Sequence, residues 1–481
     1  MGSVDRRRFL NTMAGALSAA SLGRPLEAAT SNAASGGALS RPNFLFMYTD
    51  DQRWDALSVV QREHGERARF PWFKTPNMDR IAAEGIRFRN AFVVNSLCSP
   101  SRACFLTSQY SHLNGVANNR TPFPVDNVTH ASCLRAAGYR TGYFGKWHMD
   151  GQKGQRPGFD FSAGQIAHGR YDDCPFEVNG APTPTKGWVD DVVTDYAVQF
   201  IKDNKSRPFS MVVGFKSPHD PRTPPERLKG LFAGEEPRPA ANADCRPPYI
   251  PEAQPKAKAK RPGTNFENIR NYFRCLAGVD ENVGRLLKAL DDEGLAENTV
   301  VVYCSDNGYY LGEHGLGDKR SAYDESLRIP LLVRWPKLGA KGKTIDEMVL
   351  NIDFAPTLLD LAGVAVPPTM QGTSWRPLFE GRPADWRKAF FYEYFYETGM
   401  GRTPTVLAVR TETAKIIKYP DHGEWTELFD LRADPYEKKN LARDGAHKEL
   451  LAQMEAEFDR QARAVKFRIP EWADKPDAPK K

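Results

Sequence analysis

Asn43-Phe44-Leu45-Phe46-Met47-Tyr48-Thr49-Asp50-Asp51 is the stretch on which the fold turns. Phe44 to Tyr48 are apolar without alternation, as in a strand buried on both faces, and the run halts at two carboxylates. Such a strand belongs inside an α/β sheet, where ligand groups collect at the carboxyl ends of strands. Similar runs occupy 210–215, 300–304 and 330–334, and the second of them ends in Ser305-Asp306-Asn307. Helical patterning lies between them, over 77–84 with Gly85 as the expected C-cap, and over 271–290. This alternation predicts an α/β fold with a large central sheet, mixed but mostly parallel, flanked by helices.

From about Ala389 the texture changes. Residues 390–394, 406–410 and 414–419 alternate like short antiparallel strands and precede a helical pattern over 448–462. They predict a smaller C-terminal α+β subdomain containing an antiparallel sheet. The expected boundaries are 41–365 for the large domain and 366–481 for the small one, joined through the Pro/Gly-rich stretch 363–383. Residues 234–263, rich in Pro, Ala and Lys, read as an insertion or surface loop. No fixed-period repeat points to a solenoid or propeller.

The chain has 481 residues, 41% of them hydrophobic and 26% charged, as expected of a water-soluble globular protein. No apolar run reaches the ~20 residues that span a bilayer. Residues 1–30 combine Arg6-Arg7-Arg8-Phe9-Leu10, a mild apolar stretch and small residues at Ala28-Ala29. They resemble a twin-arginine signal peptide, which implies export of the folded protein to the periplasm or medium. Outside that segment the net charge is +4, and no basic stripe interleaved with aromatics suggests nucleic acid. The run Pro255 to Pro262, with four basic residues, reads as a solvated loop. Seven dispersed cysteines without CxxC spacing form neither a disulfide scaffold nor a zinc site. Their odd number leaves at least one thiol with another fate in an exported chain.

Cys98-Ser99-Pro100-Ser101-Arg102 reads as an entry into a helix, with proline in the first turn. The free amides of that helix end would favour an anion beside Cys98. Asp50, Asp51, Asp306 and Asn307 offer hard oxygen donors from two strand ends, a set that suits Ca²⁺ or Mg²⁺ better than zinc.

The Cys-x-Pro-x-Arg element resembles the signature of type I, formylglycine-dependent sulfatases, members of the alkaline-phosphatase-like superfamily. Leu106-Thr107 and Gly115 also fit, although Ser108-Gln109 stands where Gly-Arg is commoner. Thr49-Asp50-Asp51-Gln52 and Ser305-Asp306-Asn307-Gly308 resemble the family's calcium segments. Gly145-Lys146-Trp147-His148, Ser217-Pro218-His219-Asp220-Pro221 and Gly312 to Lys319 resemble its other active-site segments. Leu428-Phe429-Asp430-Leu431, Asp434-Pro435 and Asn440-Leu441 resemble its C-terminal ending, so the likeness covers most of the chain.

The resemblance implies that Cys98 is converted to formylglycine by a formylglycine-generating enzyme before export. It implies one Ca²⁺ held by Asp50, Asp51, the modified Cys98, Asp306 and Asn307. Arg102 and Lys146 are then expected to stabilise the hydrated aldehyde, and Lys319 to hold sulfate oxygens. His219 is expected to protonate the leaving oxygen, and His148 to accept the proton that lets sulfate depart. The expected activity is hydrolysis of sulfate esters, on sulfated polysaccharide or glycosaminoglycan fragments. Trp188, Arg222 and Arg402 are candidate sugar contacts. Two alternatives are a phosphonate or phosphate ester hydrolase of the same superfamily and a non-catalytic carbohydrate-binding relative.

Overall fold

The computed structural model describes residues 41–149, 154–250, 262–382, 385–400, 403–420 and 422–475. The expected signal segment, most of the basic run 255–262 and Arg402 lie outside them. The strands are β1 Asn43–Thr49, β2 Ile86–Phe88, β3 Ala91–Phe92, β4 Arg140–Gly145, β5 Phe161–Gln165, β6 Phe176–Val178, β7 Ala181–Thr183 and β8 Phe209–Gly214. They continue with β9 Thr299–Ser305, β10 Leu331–Arg334, β11 Lys343–Ile345, β12 Val349–Leu350, β13 Ala389–Tyr394, β14 Val406–Thr411, β15 Ala414–Lys418 and β16 Glu427–Asp430.

Ten of them form one sheet in the order β11-β2-β10-β9-β1-β8-β4-β5-β6-β7. Its centre, β9-β1-β8-β4-β5, is parallel throughout, whereas β10 runs against both β9 and β2. The apolar run at β1 explains its central place. Phe44, Phe46 and Tyr48 enter the core on one face of the sheet, while Leu45 and Met47 enter the core on the other. Helices cover both faces: Val189–Asp203 and Phe266–Asp292 pack into the second core, and Phe354–Leu361 into the first.

The helix predicted over 77–84 is present as Pro76–Ala83, but Gly85 does not cap it in a left-handed conformation. Glu84 is the C-cap, and Gly85 is required because a Cβ there would lie 2.2 Å from the Val333 carbonyl oxygen. Strand contact, not helix termination, sets that glycine.

The second sheet is antiparallel, ordered β13-β14-β15-β16. Helix Lys448–Ala464 lays Met454 and Phe458 against it. Residues of the same apolar cluster include Phe92, Val94, Leu97 and Tyr110, so this sheet shares its core with the chain leading into and out of the Cys98 helix.

Candidate active site

The parallel register builds the site. Thr49 of β1 pairs with Ser305 of β9, so both strands end together and deliver Asp50-Asp51 beside Asp306-Asn307. Backbone bonds from Asp306 N to Thr49 O (2.9 Å) and from Asp50 N to Ser217 O (3.1 Å) fix the two ends and the end of β8. Carboxylate oxygens of Asp50, Asp51 and Asp306 lie within 4.8 Å of one another, and all three side chains are buried.

Cations hold this acidic cluster. Arg102, on the helix Cys98–Thr107, donates from Nη2 to Asp50 Oδ2 (3.0 Å) and from Nη2 and Nε to Asp306 Oδ2 (2.8 and 3.0 Å). Its guanidinium lies over the Tyr48 ring. Lys146, just past β4, donates to Asp50 Oδ2. Lys319 donates to Asp51 Oδ1 (2.5 Å) and to Cys98 Sγ (3.1 Å). Burial alone would favour the neutral acid at Asp50, but the Lys146 charge, with that of Arg102, holds its carboxyl well below the usual carboxylate range. Burial, with repulsion from Asp50, raises Asp51 and pushes Asp306 up to about 7.

Cys98 is the first residue of its helix, as the sequence suggests, and is fully buried. Its thiol donates to Asp50 Oδ1 at 3.2 Å. Burial and the Asp50 charge push the thiol far up, so it stays protonated. Lys319 pulls the other way, but burial and Asp50 prevail, and a protonated thiol is a poor nucleophile.

Three histidines line the approach. His219 donates from Nδ1 to the Asp220 carbonyl (2.8 Å), which leaves Nε2 as the titrating atom, 3.9 Å from Asp51 Oδ2. His148 adopts φ 59° just after Trp147, and its carbonyl accepts from Ser99 Oγ, which ties it to the Cys98 helix. Burial, then the Lys146 charge, holds both imidazoles well below their ordinary range. The third, His168, lies 2.9 Å from His148 through their Nε2 atoms. Sequence reasoning missed it, because the turn after β5 carries no motif. It also missed Lys216, one residue before the quoted Ser217-Pro218 segment, whose Nζ donates to the His168 carbonyl (2.8 Å).

Two of the candidate sugar contacts are buried. Trp188 is buried and donates from its indole to the Thr223 carbonyl. Arg222 is buried with its guanidinium over Tyr309 and Tyr272 and Nη1 donating to Asn268.

The donor set fits a hard dication. Asn307 donates from Nδ2 to Asp51 Oδ1 (2.7 Å), yet its buried Oδ1 has no hydrogen-bond partner. That orphaned oxygen, beside three carboxylates that repel one another, is what an oxygen-ligated Ca²⁺ would satisfy. A second buried group, His314 with Glu325 and Glu437, differs in kind. Asn242 Nδ2 donates into its middle, to His314 Nε2 and Glu325 Oε1 (2.9 Å each), and Lys415 pairs with Glu437 at 2.6 Å. Asn242 and Lys415 thus already occupy part of that cage.

The profile of the family described as Sulfatase matches residues 42–364, and that described as N-sulphoglucosamine sulphohydrolase, C-terminal, matches 312–464. An N-acetylglucosamine-6-O-sulfatase of Bacteroides thetaiotaomicron is 35% identical, over 83% of this chain and 82% of its own. An ulvan-active sulfatase of Formosa agariphila is 30% identical, over 88% and 81%. A solved structure of an enzyme in complex with its substrate D-glucosamine-2-N,6-O-disulfate superposes with a TM-score of 0.81 at 32% identity, covering 89% of this chain and 98% of that one. With strand ends, cation cradle and buried cysteine arranged as described, the chain belongs to the sulfatase family and is an enzyme that hydrolyses sulfate esters.

Proposed function

We propose that this protein is an exported sulfatase acting on a sulfated saccharide, through formylglycine made at Cys98 by a formylglycine-generating enzyme and through one bound Ca²⁺. The observation that carries the reading is the setting of Cys98: a buried side chain at a helix start, in contact with both Lys319 and Asp50 of the acidic cluster. Chemistry on that side chain needs a group other than thiolate. Hydrated formylglycine would supply an oxygen nucleophile with a second hydroxyl through which sulfate can be released. Ca²⁺ held by Asp50, Asp51, Asp306, Asn307 and the modified residue would draw negative charge from sulfate oxygens.

The remaining work falls to side chains. Lys319, beside Cys98 Sγ, would hold a sulfate oxygen, and Arg102 and Lys146, both bonded to Asp50, would stabilise the hydrated aldehyde. His219, with Nδ1 committed to a carbonyl, presents Nε2 to give a proton to the leaving alcohol. His148, buried and neutral, is the base that takes a hydroxyl proton as sulfate leaves.

For the substrate, the relatives act on 6-O-sulfated N-acetylglucosamine and on ulvan, and the superposed structure holds a 6-O-sulfated glucosamine. These support a saccharide 6-O-sulfate as the first class to assay. The protein should be produced with a formylglycine-generating enzyme and the peptide spanning Cys98 weighed. A thiol-to-aldehyde mass change, with sulfate released from glucosamine 6-O-sulfate, is the expected result. An unmodified thiol in fully active protein would defeat the formylglycine reading.

A further inference from the structure

We propose that His168 is the positioning partner of His148 and the outlet for the proton His148 accepts. The inference rests on the sulfatase chemistry proposed above. Hydrolysis of a sulfate monoester anion by water yields an alcohol, sulfate dianion and one proton, so each turnover must export a proton. His148 is 4% exposed, so while substrate or product fills the site it has no direct route to bulk water. Its ring makes one hydrogen bond among the described residues, Nε2 to Nε2 of His168 at 2.9 Å, and its buried Nδ1 has no partner. His168, in contrast, is exposed to solvent.

One nitrogen of that pair must carry the hydrogen. A proton on His148 Nδ1 would be a buried N–H without an acceptor, facing a neighbourhood that contains the Lys146 and Arg102 charges. The favoured arrangement puts the hydrogen of His148 on Nε2, donated to His168, and leaves the Nδ1 lone pair basic. When Nδ1 takes a proton, the Nε2 hydrogen moves to His168 Nε2, and the Nδ1 hydrogen of His168 goes to water. Once the products have left, His148 gives its Nδ1 hydrogen to water in the emptied site, His168 returns its Nε2 hydrogen to His148 Nε2 and takes one on Nδ1 from bulk water, which resets both tautomers with one proton exported per turnover.

The turn that carries His168 is built to hold it there. Ala167 and Gly169 flank it with φ of 51° and 61°, and Lys216 Nζ donates to its carbonyl at 2.8 Å. Lys216 is buried over the Tyr171 ring, and Asp190 accepts from the backbone amides of Lys216 and Ser217 (2.8 and 3.1 Å). The charged and titratable groups around His168 are Lys146, Lys216, Lys319, Asp50, His148 and His219, whose ring centre is 5.4 Å away. Its surroundings are cationic on balance, so a proton reaching it is passed on to water and not retained.

The test compares wild type, His168→Ala, His168→Gln and His148→Ala, all carrying the aldehyde, for sulfate release from glucosamine 6-O-sulfate. Loss of the outlet should lower kcat about 10- to 100-fold in both His168 variants with KM within about twofold, since glutamine can hydrogen bond but cannot relay. Added imidazole should restore part of kcat to His168→Ala and none to His148→Ala, and the thermal midpoints should match. Unchanged kcat, a raised KM at full kcat, full activity of His168→Gln, or no rescue by imidazole would each overturn the outlet. A wild type that releases no sulfate would instead sink the parent reading along with it, so the two failures are distinguishable.

Discussion

At the scale of single residues, Cys98 is decisive because its neighbours are arranged for something other than a thiolate. Burial and Asp50 keep the thiol protonated, while Lys319 lies 3.1 Å from the sulfur. Cys98→Ala should therefore fold normally and lose sulfatase activity by at least about 10³-fold, measured as sulfate release, since a covalent route disappears. His219 makes a subtler case. With Nε2 as its working atom, His219→Ala should slow saccharide sulfates, whose alcohols leave poorly, about 10²–10⁴-fold, and 4-nitrophenyl sulfate far less. Equal losses on both would remove His219 from the leaving-group role. These residues were legible because each sits in a short segment with distinctive neighbours. His168 was not, since only the folding of the turn after β5 brings it to His148. Trp188 and Arg222, named as candidate sugar contacts, are both buried by tertiary packing, which their local sequence does not reveal.

At the scale of elements, the unbroken apolar runs foretold the central strands. β1, β8 and β9 lie within a residue or two of their expected bounds because each run is buried on both faces. The helix expected over 271–290 extends to Phe266–Asp292, because Asn265 caps it and Ile269 of the added turn is buried. Strands of two or three residues, such as β2, β3 and β12, left no periodic trace. The antiparallel β10 was equally illegible in direction, because strand polarity depends on the connection and not on composition. Glycines record where elements close on each other. Gly145, at the end of β4 with φ 97°, lies against β8, and a Cβ there would stand 2.0 Å from the Gly214 carbonyl oxygen. Gly145→Ala should cost about 2–4 kcal/mol from the left-handed backbone and the clash together. Because Lys146 follows directly, the same change should lower kcat as well as the denaturant midpoint. A variant with wild-type stability would show that the β4–β8 approach is looser than drawn.

At the scale of the whole molecule, two devices join parts distant in sequence. The first is the acidic cluster proposed to hold Ca²⁺, which gathers mutually repelling carboxylates from the ends of β1 and β9. Removing Ca²⁺ with a chelator should lower both activity and thermal midpoint, and excess Ca²⁺ should restore them by mass action. The second is His112, whose Nδ1 bonds Glu393 Oε2 of β13 (2.6 Å) while Nε2 meets the Val465 carbonyl (3.1 Å) after the last helix. Both ring nitrogens face acceptors, so the fully protonated imidazolium satisfies the site. Burial opposes that charge, but the Glu393 hydrogen bond prevails and raises the folded-state pKa. A raised folded pKa means the stabilisation is complete below the unfolded value of about 6.5 and is lost as pH climbs through the folded one. The pair should therefore contribute about 1.5–3 kcal/mol in mild acid and progressively less in alkali. Denaturation of wild type and His112→Ala at matched pH values tests this, and the gap between them should narrow as pH rises. A gap constant from pH 5 to 9 would mean that His112 joins the C-terminal sheet to the catalytic helices by packing alone.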